Sequence, residues 1–225
     1  MNDNNRRRHE RNGRVAQFGT DNLVDFKAGT PGGDQFAFVA TCYNNAASKQ
    51  SAYTLKYGES GQEFQVKSDA RESLREIMSR VAMAARSMIY AHPGITDVFH
   101  MPRNATDVDL LATGRAMFTA SAPLEADFIA YDAPSDFRDQ LNTKADAFEA
   151  SFGPATTAMD ERVAAYAETV DEINQGARAV RILDGIVRNK YHGNPGKLAA
   201  WTSASHVEKA PKPSKPKPPA TPPTP

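Results

Sequence analysis

The stretch TTAMDERVAAYAETVDEINQGARAVRILDGIVRNKY, residues 156–191, decides the fold of this chain. Its apolar residues recur at the two core positions of a seven-residue pattern, which only Asp184 interrupts. These residues are Met159, Val163, Tyr166, Val170, Ile173, Ala177, Val180, Val187 and Tyr191. The spacing predicts an amphipathic helix about 50 Å long. Such a helix must bury its apolar stripe against other helices or against another chain.

A second long helix is predicted between residues 34 and 91, with two alternatives open. The apolar residues keep one helical phase on both sides of Gly58 and Gly61, which favours a single continuous helix. They are Phe36, Val39, Tyr43, Ala46, Tyr53, Tyr57, Phe64, Leu74, Met78, Val81, Ala85 and Met88. Two helices joined by a turn at 58–61 are the alternative, because each interior glycine costs about 1 kcal/mol relative to Ala. Asp34 is the predicted N-cap of this element.

Caps and helix breakers place shorter helices in the rest of the chain. A weak helix is predicted over residues 5–26, with Val15, Phe18, Asn22 and Phe26 on one face. Thr106 or Asp107 is expected to cap a helix that Pro123 kinks near residues 119–122.

The fold class follows from these elements. Pro134 is expected in the first turn of a helix that Gly153 and Pro154 end, and a short final helix contains Leu198 and Trp201. No segment alternates with the period of two that is typical of a strand. The sequence therefore predicts an all-α fold, an elongated antiparallel bundle of four to seven helices with a disordered, proline- and lysine-rich C-terminal tail.

Three regions are predicted along the chain: a basic N-terminal arm over residues 1–14, a helical bundle domain over 15–206 with a possible hinge at 58–61, and a disordered tail over 207–225. Eight of the 15 prolines lie in residues 211–225, a composition that favours extended polyproline II. The 27 basic and 27 acidic residues balance overall. Both ends carry a net charge of +3, so the bundle region is acidic.

The expected compartment is the cytoplasm. Cys42 is the single cysteine, so no internal disulfide can form. The N-terminus is rich in Asn and Arg without an apolar run, and no stretch approaches the length of a membrane span.

No metal, cofactor or catalytic residue is predicted. A di-iron bundle needs Glu-x-x-His pairs on facing helices, and the nearest match, Asp97-x-x-His100, falls in a predicted loop. No His-Glu-x-x-His motif or paired cysteine occurs. Cys42 adjoins an apolar helix face, where a buried thiol acting as a small hydrophobic group is expected.

Two short segments resemble anion sites but have a simpler interpretation. Residues 193–197, Gly-Asn-Pro-Gly-Lys, have the wrong glycine spacing for a phosphate loop and follow a helix, which excludes nucleotide binding there. Arg103, Asn104 and Asp107 lie near a helix start that could bind an anion, but capping and loop anchoring explain them equally well.

A nucleic-acid partner is considered unlikely, and no membrane partner is expected. The five arginines that could attract a polyanion are Arg6, Arg7, Arg8, Arg11 and Arg14. This run is short, has no aromatic residue before Phe18, and precedes an acidic region, so a solvated helix start is the favoured interpretation. Pro-x-x-Pro spacing begins at Pro213 and at Pro219, which fits a spacer or a contact of low specificity.

Several segments of the second half resemble a group of uncharacterised bacterial proteins. They are residues 101–103 (MPR), 122–129 (APLEADFI), 133–137 (APSDF), 183–191 (LDGIVRNKY) and 201–211. That group has predicted helices and a proline-rich C-terminus, and no activity, cofactor or catalytic residue is attached to it. The resemblance implies a bacterial, mostly helical chain.

The favoured hypothesis is a non-enzymatic structural or protein-interaction protein, which pairs with a second copy or another protein through its helix seams and its tail. A small-molecule binder or enzyme with a pocket formed by Tyr43, Tyr53, Tyr57 and His100 is the first alternative. Weak nucleic-acid binding through the arginines is the second.

Overall fold

The computed structural model describes residues 1–209, which contain eight α-helices and no strand. The helices are α1 Asp3–Asp21, α2 Pro31–Ser87, α3 Ile95–Val98, α4 Asp107–Ser121, α5 Glu125–Ala130, α6 Phe137–Ala150, α7 Phe152–Lys190 and α8 Pro195–Ser205. Six of them have at least 11 residues. The predicted all-α fold is confirmed. The proline-rich tail lies, from residue 210 onward, outside the described residues.

One continuous helix of 57 residues, α2, occupies the region for which two alternatives were open. Gly58 and Gly61 lie inside it, so no turn forms at 58–61. The predicted N-cap was wrong. Thr30 precedes the helix, and its Oγ1 accepts a hydrogen bond from the N–H of Gly33 at 3.2 Å, while Pro31 fills the first helical position.

Two further differences from the predictions concern prolines near helix starts. Helix α7 begins at Phe152, so Gly153 and Pro154 start this helix and do not end the preceding one. A proline in the first turn removes no intrahelical hydrogen bond. Pro134, in contrast, precedes α6, which begins at Phe137.

The expected kink at Pro123 is a break between helices. Helix α4 ends at Ser121, and a 3₁₀ turn, Ala122–Leu124, leads into α5. At the start of α4, Thr106 accepts a hydrogen bond from Asp109 N–H at 3.2 Å, and the carboxylate of Asp109 accepts one from Thr106 N–H. This reciprocal arrangement is a capping box.

The described chain forms two compact units, between which the domain predicted at 15–206 is divided. Unit 1 contains residues 1–50 and the chain from 167, and therefore includes α1, the start of α2, the end of α7 and α8. Its buried apolar core is formed by Val15, Phe18, Phe26, Phe36, Val39, Ala179, Val180, Leu183, Val187, Tyr191 and Trp201.

Helices α1 and α2 run antiparallel in unit 1, because Gly13 adjoins Tyr43 while Gly19 adjoins Phe36. A Cβ on Gly19 would lie 2.7 Å from the ring of Phe36, so this position needs a glycine for the close approach. The basic arm was predicted over residues 1–14, but from Asp3 onward these residues form the first turns of α1, and Arg11 is buried there.

Unit 2 contains residues 51–166 and has its own core. The buried residues are Leu74, Ile77, Met78, Val81, Ala84, Ala85, Met88, Ile95, Phe99, Leu110, Met117, Phe128, Ala133, Phe137, Leu141, Ala145 and Phe148. Helices α4 and α6 are antiparallel, since Arg115 bonds Asp146 and Arg138 lies over Phe118.

Helix α4 runs parallel to α2. Asp107 at its start binds Arg71 at 2.9 Å, and Gly114, about two turns later, packs against Leu74 and Met78. A parallel neighbour requires the connection over residues 88–106 to return along α2, and Phe99 is buried in the core on the way.

Candidate interaction surface

Part of unit 2 is a bare pair of helices. We call this part the helix pair; it consists of residues 51–66 of α2 and 156–166 of α7. The two segments run antiparallel, since the rings of Tyr53 and Tyr166 lie 5.5 Å apart while Lys56 pairs with Glu161. Of residues 51–66 only Ser60 is buried. These two helix segments therefore have apolar residues of the predicted stripe that no other part of unit 2 covers.

Charged side chains of the helix pair bind one another. The ammonium group of Lys56 lies 2.7 Å from the carboxylate of Glu59 and 2.8 Å from that of Glu161. The hydrogen bond to Glu161, followed by that to Glu59, raises the pKa of Lys56 above its ordinary value. Because all three groups are exposed, these pairs set the alignment of the two helices more than their stability.

Aromatic and aliphatic side chains form a separate, uncovered surface of the helix pair, here the aromatic face. Its residues are Tyr53, Tyr57, Phe64, Met159, Val163 and Tyr166. Tyr57 is 58% exposed, Val163 54% and Phe64 44%. The guanidinium of Arg162 lies 5.5 Å from the ring centroid of Tyr57 and donates to Met159 Sδ at 2.8 Å, so this charge has local partners.

The aromatic face consists of positions that the apolar sequence pattern predicts to be buried, but that are exposed or half-buried in the structure. Farther along α7, Ile173, Ala177, Val180, Val187 and Tyr191 are buried in unit 1. Met159 and Tyr166 are only half-buried, and Val163 is exposed. The sequence pattern identified this stripe, but it could not show where along the helix the stripe is covered.

Gly58 and Gly61 lie in the helix pair without an internal packing reason. An added Cβ at either position would meet nothing within 4 Å, whereas at Gly13, Gly19 and Gly114 it would contact a neighbouring side chain. Each glycine costs a helix about 0.5–1 kcal/mol relative to Ala. The described chain shows no contact that offsets this cost.

The predicted tyrosine and histidine pocket is not assembled from its named residues. Tyr53 and Tyr57 contact each other with ring centroids 6.2 Å apart. Tyr43 instead stacks on His9 at 4.5 Å, and His100 Nδ1 lies 2.9 Å from the backbone oxygen of Asp97.

Cys42 is 1% exposed and lies beside Glu172. Burial, with a smaller contribution from the Glu172 carboxylate, raises the pKa of the thiol. A thiol held in its protonated form is a poor nucleophile and metal ligand.

Ligand-type side chains of the loops have structural partners. Within residues 1–209, no group of three His, Cys, Asp or Glu side chains is placed to hold a metal ion. Asp107 binds Lys67 at 2.7 Å and Arg71 at 2.9 Å, and the hydrogen bond from Lys67 is the main cause of its lowered pKa. Asn194 caps α8 by accepting the N–H of Lys197 at 3.1 Å.

A second surface, the arginine cluster, lies in unit 1 and consists of Arg8, Arg11, Arg14 and Arg181. Arg181 was missed as a member, because only the fold brings α7 beside α1. The burial of Arg11 had a signal in the sequence, since it lies one turn before Val15 on the apolar side of α1. The other arginines of the run, Arg6 and Arg7, pair with Asp3.

Comparison of the chain with protein-family models, with curated proteins and with solved structures found no match. The resemblance of the second half to a bacterial group therefore stays a prediction. In the part of the chain that the structure describes, no helix is both long and apolar enough to span a membrane.

Proposed function

We propose that this chain is a non-enzymatic protein-interaction protein that associates through the aromatic face of its helix pair. A bacterial cytoplasmic setting is part of this proposal. The supporting observation is that Tyr57, Phe64 and Val163 remain about half exposed on the same two-helix segment. Covering each of them would contribute about 1 kcal/mol. A grouped apolar patch of this kind is typical of an interaction site.

We propose a second copy of the chain as the partner. In a twofold interface each group meets the same surface of the other copy, so unpaired charge on the face would oppose association. The aromatic face itself contains no charged residue; Arg162 beside it lies over Tyr57, and Lys56 pairs with Glu161. Two antiparallel helix pairs packed face to face make a four-helix bundle.

The two exposed glycines support the same arrangement. Gly58 and Gly61 lie between Tyr57 and Phe64 in α2, and a side chain added at either position would extend into open space. A helix of a second copy could approach the backbone closely there. This approach would offset the helix-propensity cost of both glycines.

Charge substitutions test the proposal. Val163→Glu should shift the chain from dimer towards monomer in size-exclusion chromatography with light scattering, because the face would then bury a carboxylate in each copy. Leu55→Glu is the matched control, since Leu55 is 69% exposed on the same segment of α2 but points away from Tyr53 and Tyr57. It should leave the molar mass unchanged.

Circular dichroism of both variants should match that of the unmodified chain, since both positions are exposed. The proposal is wrong if Val163→Glu and Leu55→Glu give the same molar mass. A pull-down could instead enrich a different protein, with Val163→Glu abolishing that enrichment. The aromatic face would then still be the interface, but the partner would not be a second copy.

A further inference from the structure

The arginine cluster holds more positive charge than its surroundings neutralise. Arg11 is 8% exposed, and burial, followed by repulsion from Arg8, Arg181 and Arg14, lowers its pKa to about 10. Among the described residues, no ion pair joins Arg8, Arg11 or Arg181 to a carboxylate; the pairs of this region involve Arg6, Arg7 and Arg14. A buried cation without a counter-charge destabilises the fold.

Hydrogen-bond donors of the cluster also lack acceptors. Arg11 donates from Nη2 to Asn12 Oδ1 at 2.8 Å, but its Nε–H is buried without a partner, as is that of Arg14. Leaving a buried donor unpaired destabilises the fold, and more strongly so when the donor is charged. The cluster therefore combines unneutralised charge with unused donors.

An open groove of about 560 Å³ adjoins the cluster at Arg14. The groove is lined by Arg14, Ala199, Thr202, Ser203, His206 and Glu208. Arg14 donates to the backbone oxygen of His206 at 2.6 Å and lies 3.4 Å from the Glu208 carboxylate. Glu208 is the one acid among these lining residues, and its side chain is 68% exposed. Its pairing with Arg14 is therefore weak and displaceable.

We infer that this groove binds a small anion carrying phosphate groups, with Arg14 and the hydroxyl of Ser203 as its direct ligands, since the Thr202 hydroxyl already donates to the Leu198 carbonyl at 2.8 Å. Guanidinium and hydroxyl donors are the groups that recognise phosphate oxygens in proteins. Arg11, which is closed to solvent, supports the site through its charge. Glu208 occupies the guanidinium of Arg14 when no phosphate is bound, and so competes with the ligand.

Isothermal titration of the full chain with pyrophosphate at constant ionic strength tests this inference. Arg14→Gln should weaken binding about tenfold or more, because a charge-assisted contact is lost. Ser203→Ala should weaken it less, and Glu208→Gln should strengthen it by removing the competitor. Arg6→Gln is the matched control, since Arg6 is an exposed arginine on the same helix that pairs with Asp3 and Glu10.

Absence of pyrophosphate binding above that of chloride would overturn the inference. Equal weakening by Arg14→Gln and Arg6→Gln would do the same, because it would show a response to total charge alone. If Arg14→Gln fails to fold, the opposite effects expected from Ser203→Ala and Glu208→Gln decide the matter. Binding of a single-stranded oligonucleotide without binding of pyrophosphate would contradict a small-anion site.

Discussion

Asp184 and Trp201 connect α7 to α8 by one hydrogen bond at the edge of the unit 1 core. The indole Nε1–H of the fully buried Trp201 donates to Asp184 Oδ1 at 2.8 Å. Arg188, one turn later on α7, binds the same carboxylate at 2.9 Å. A buried indole needs an acceptor for its N–H, so the acid that interrupts the apolar pattern of α7 stabilises the position of α8.

Asp184→Ala should lower the free energy of unfolding by about 1–3 kcal/mol, because the buried indole N–H loses its acceptor. Urea denaturation followed by tryptophan fluorescence measures the change at the same residue. Asp171→Ala is the control, since Asp171 accepts only an exposed hydrogen bond from Gln175 in α7. Equal losses in the two variants would contradict this role for Asp184.

The contribution of Asp184 should depend on pH. The hydrogen bond from Arg188 is the main cause of its lowered pKa. A lowered folded-state pKa means that the stabilisation is complete above the unfolded value of about 4 and is lost as the pH falls through the folded value. The difference between the unmodified chain and Asp184→Ala should therefore shrink below about pH 4. A difference that does not shrink as the pH falls below the unfolded value of about 4 would contradict the ion pair.

Residue roles could be predicted from the sequence only where the partner is local. Asp184 was evident as an exception to the pattern, but its partner Trp201 belongs to another helix. The face of α1 was predicted at Val15, Phe18, Asn22 and Phe26, and all four are buried. Because Arg11 is charged, it was interpreted as part of a solvated helix start. Its position in the same helical period, however, places it on this buried face.

At the scale of the helix, the capping box of α4 fixes where the helix starts. Thr106→Ala should lower the free energy of unfolding by about 1 kcal/mol, because the N–H of Asp109 loses its acceptor. Chemical denaturation followed by circular dichroism measures the change. Thr119→Ala, at an exposed position inside α4, should have no such cost because alanine favours a helix. A similar loss in both variants would exclude a specific capping role.

Gly61→Ala separates helix propensity from association. A Cβ at this position meets nothing within the chain, so the free energy of unfolding of the monomer should rise by about 0.5–1 kcal/mol. The added methyl group should at the same time weaken the dimer, because it occupies the space proposed for the second copy. Denaturation at low concentration and light scattering at high concentration measure the two effects. A variant that is stabilised and associates unchanged would remove Gly61 from the interface.

The long helices could be predicted because their apolar patterns are long and have few interruptions. Their ends were less accurate, since proline and glycine mark both the last turn of one helix and the first turn of the next. Gly153 and Pro154 were interpreted as a helix end but start α7. The continuity of α2 through Gly58 and Gly61 agrees with the phase of its apolar residues, which outweighs two unfavourable propensities.

At the scale of the whole molecule, the order of packing could not be predicted from periodicity. Helix α4 lies parallel to α2 because the connection over residues 88–106 returns beside α2, with Phe99 buried and Met101 in a groove beside Ser79 and Arg80. An apolar stripe shows that a helix needs a neighbour, but it does not show which one. The same holds for the aromatic face, because the sequence pattern did not show that its apolar residues lack a neighbouring helix within the chain.

The dependence of molar mass on concentration tests self-association through the aromatic face most directly. The chain has a mass of 24.5 kDa. In sedimentation equilibrium, the apparent molar mass of the unmodified chain should rise with concentration from this value towards twice this value. That of Val163→Glu should stay at the monomer mass. A mass of 24.5 kDa for the unmodified chain at every concentration would contradict the proposed interface.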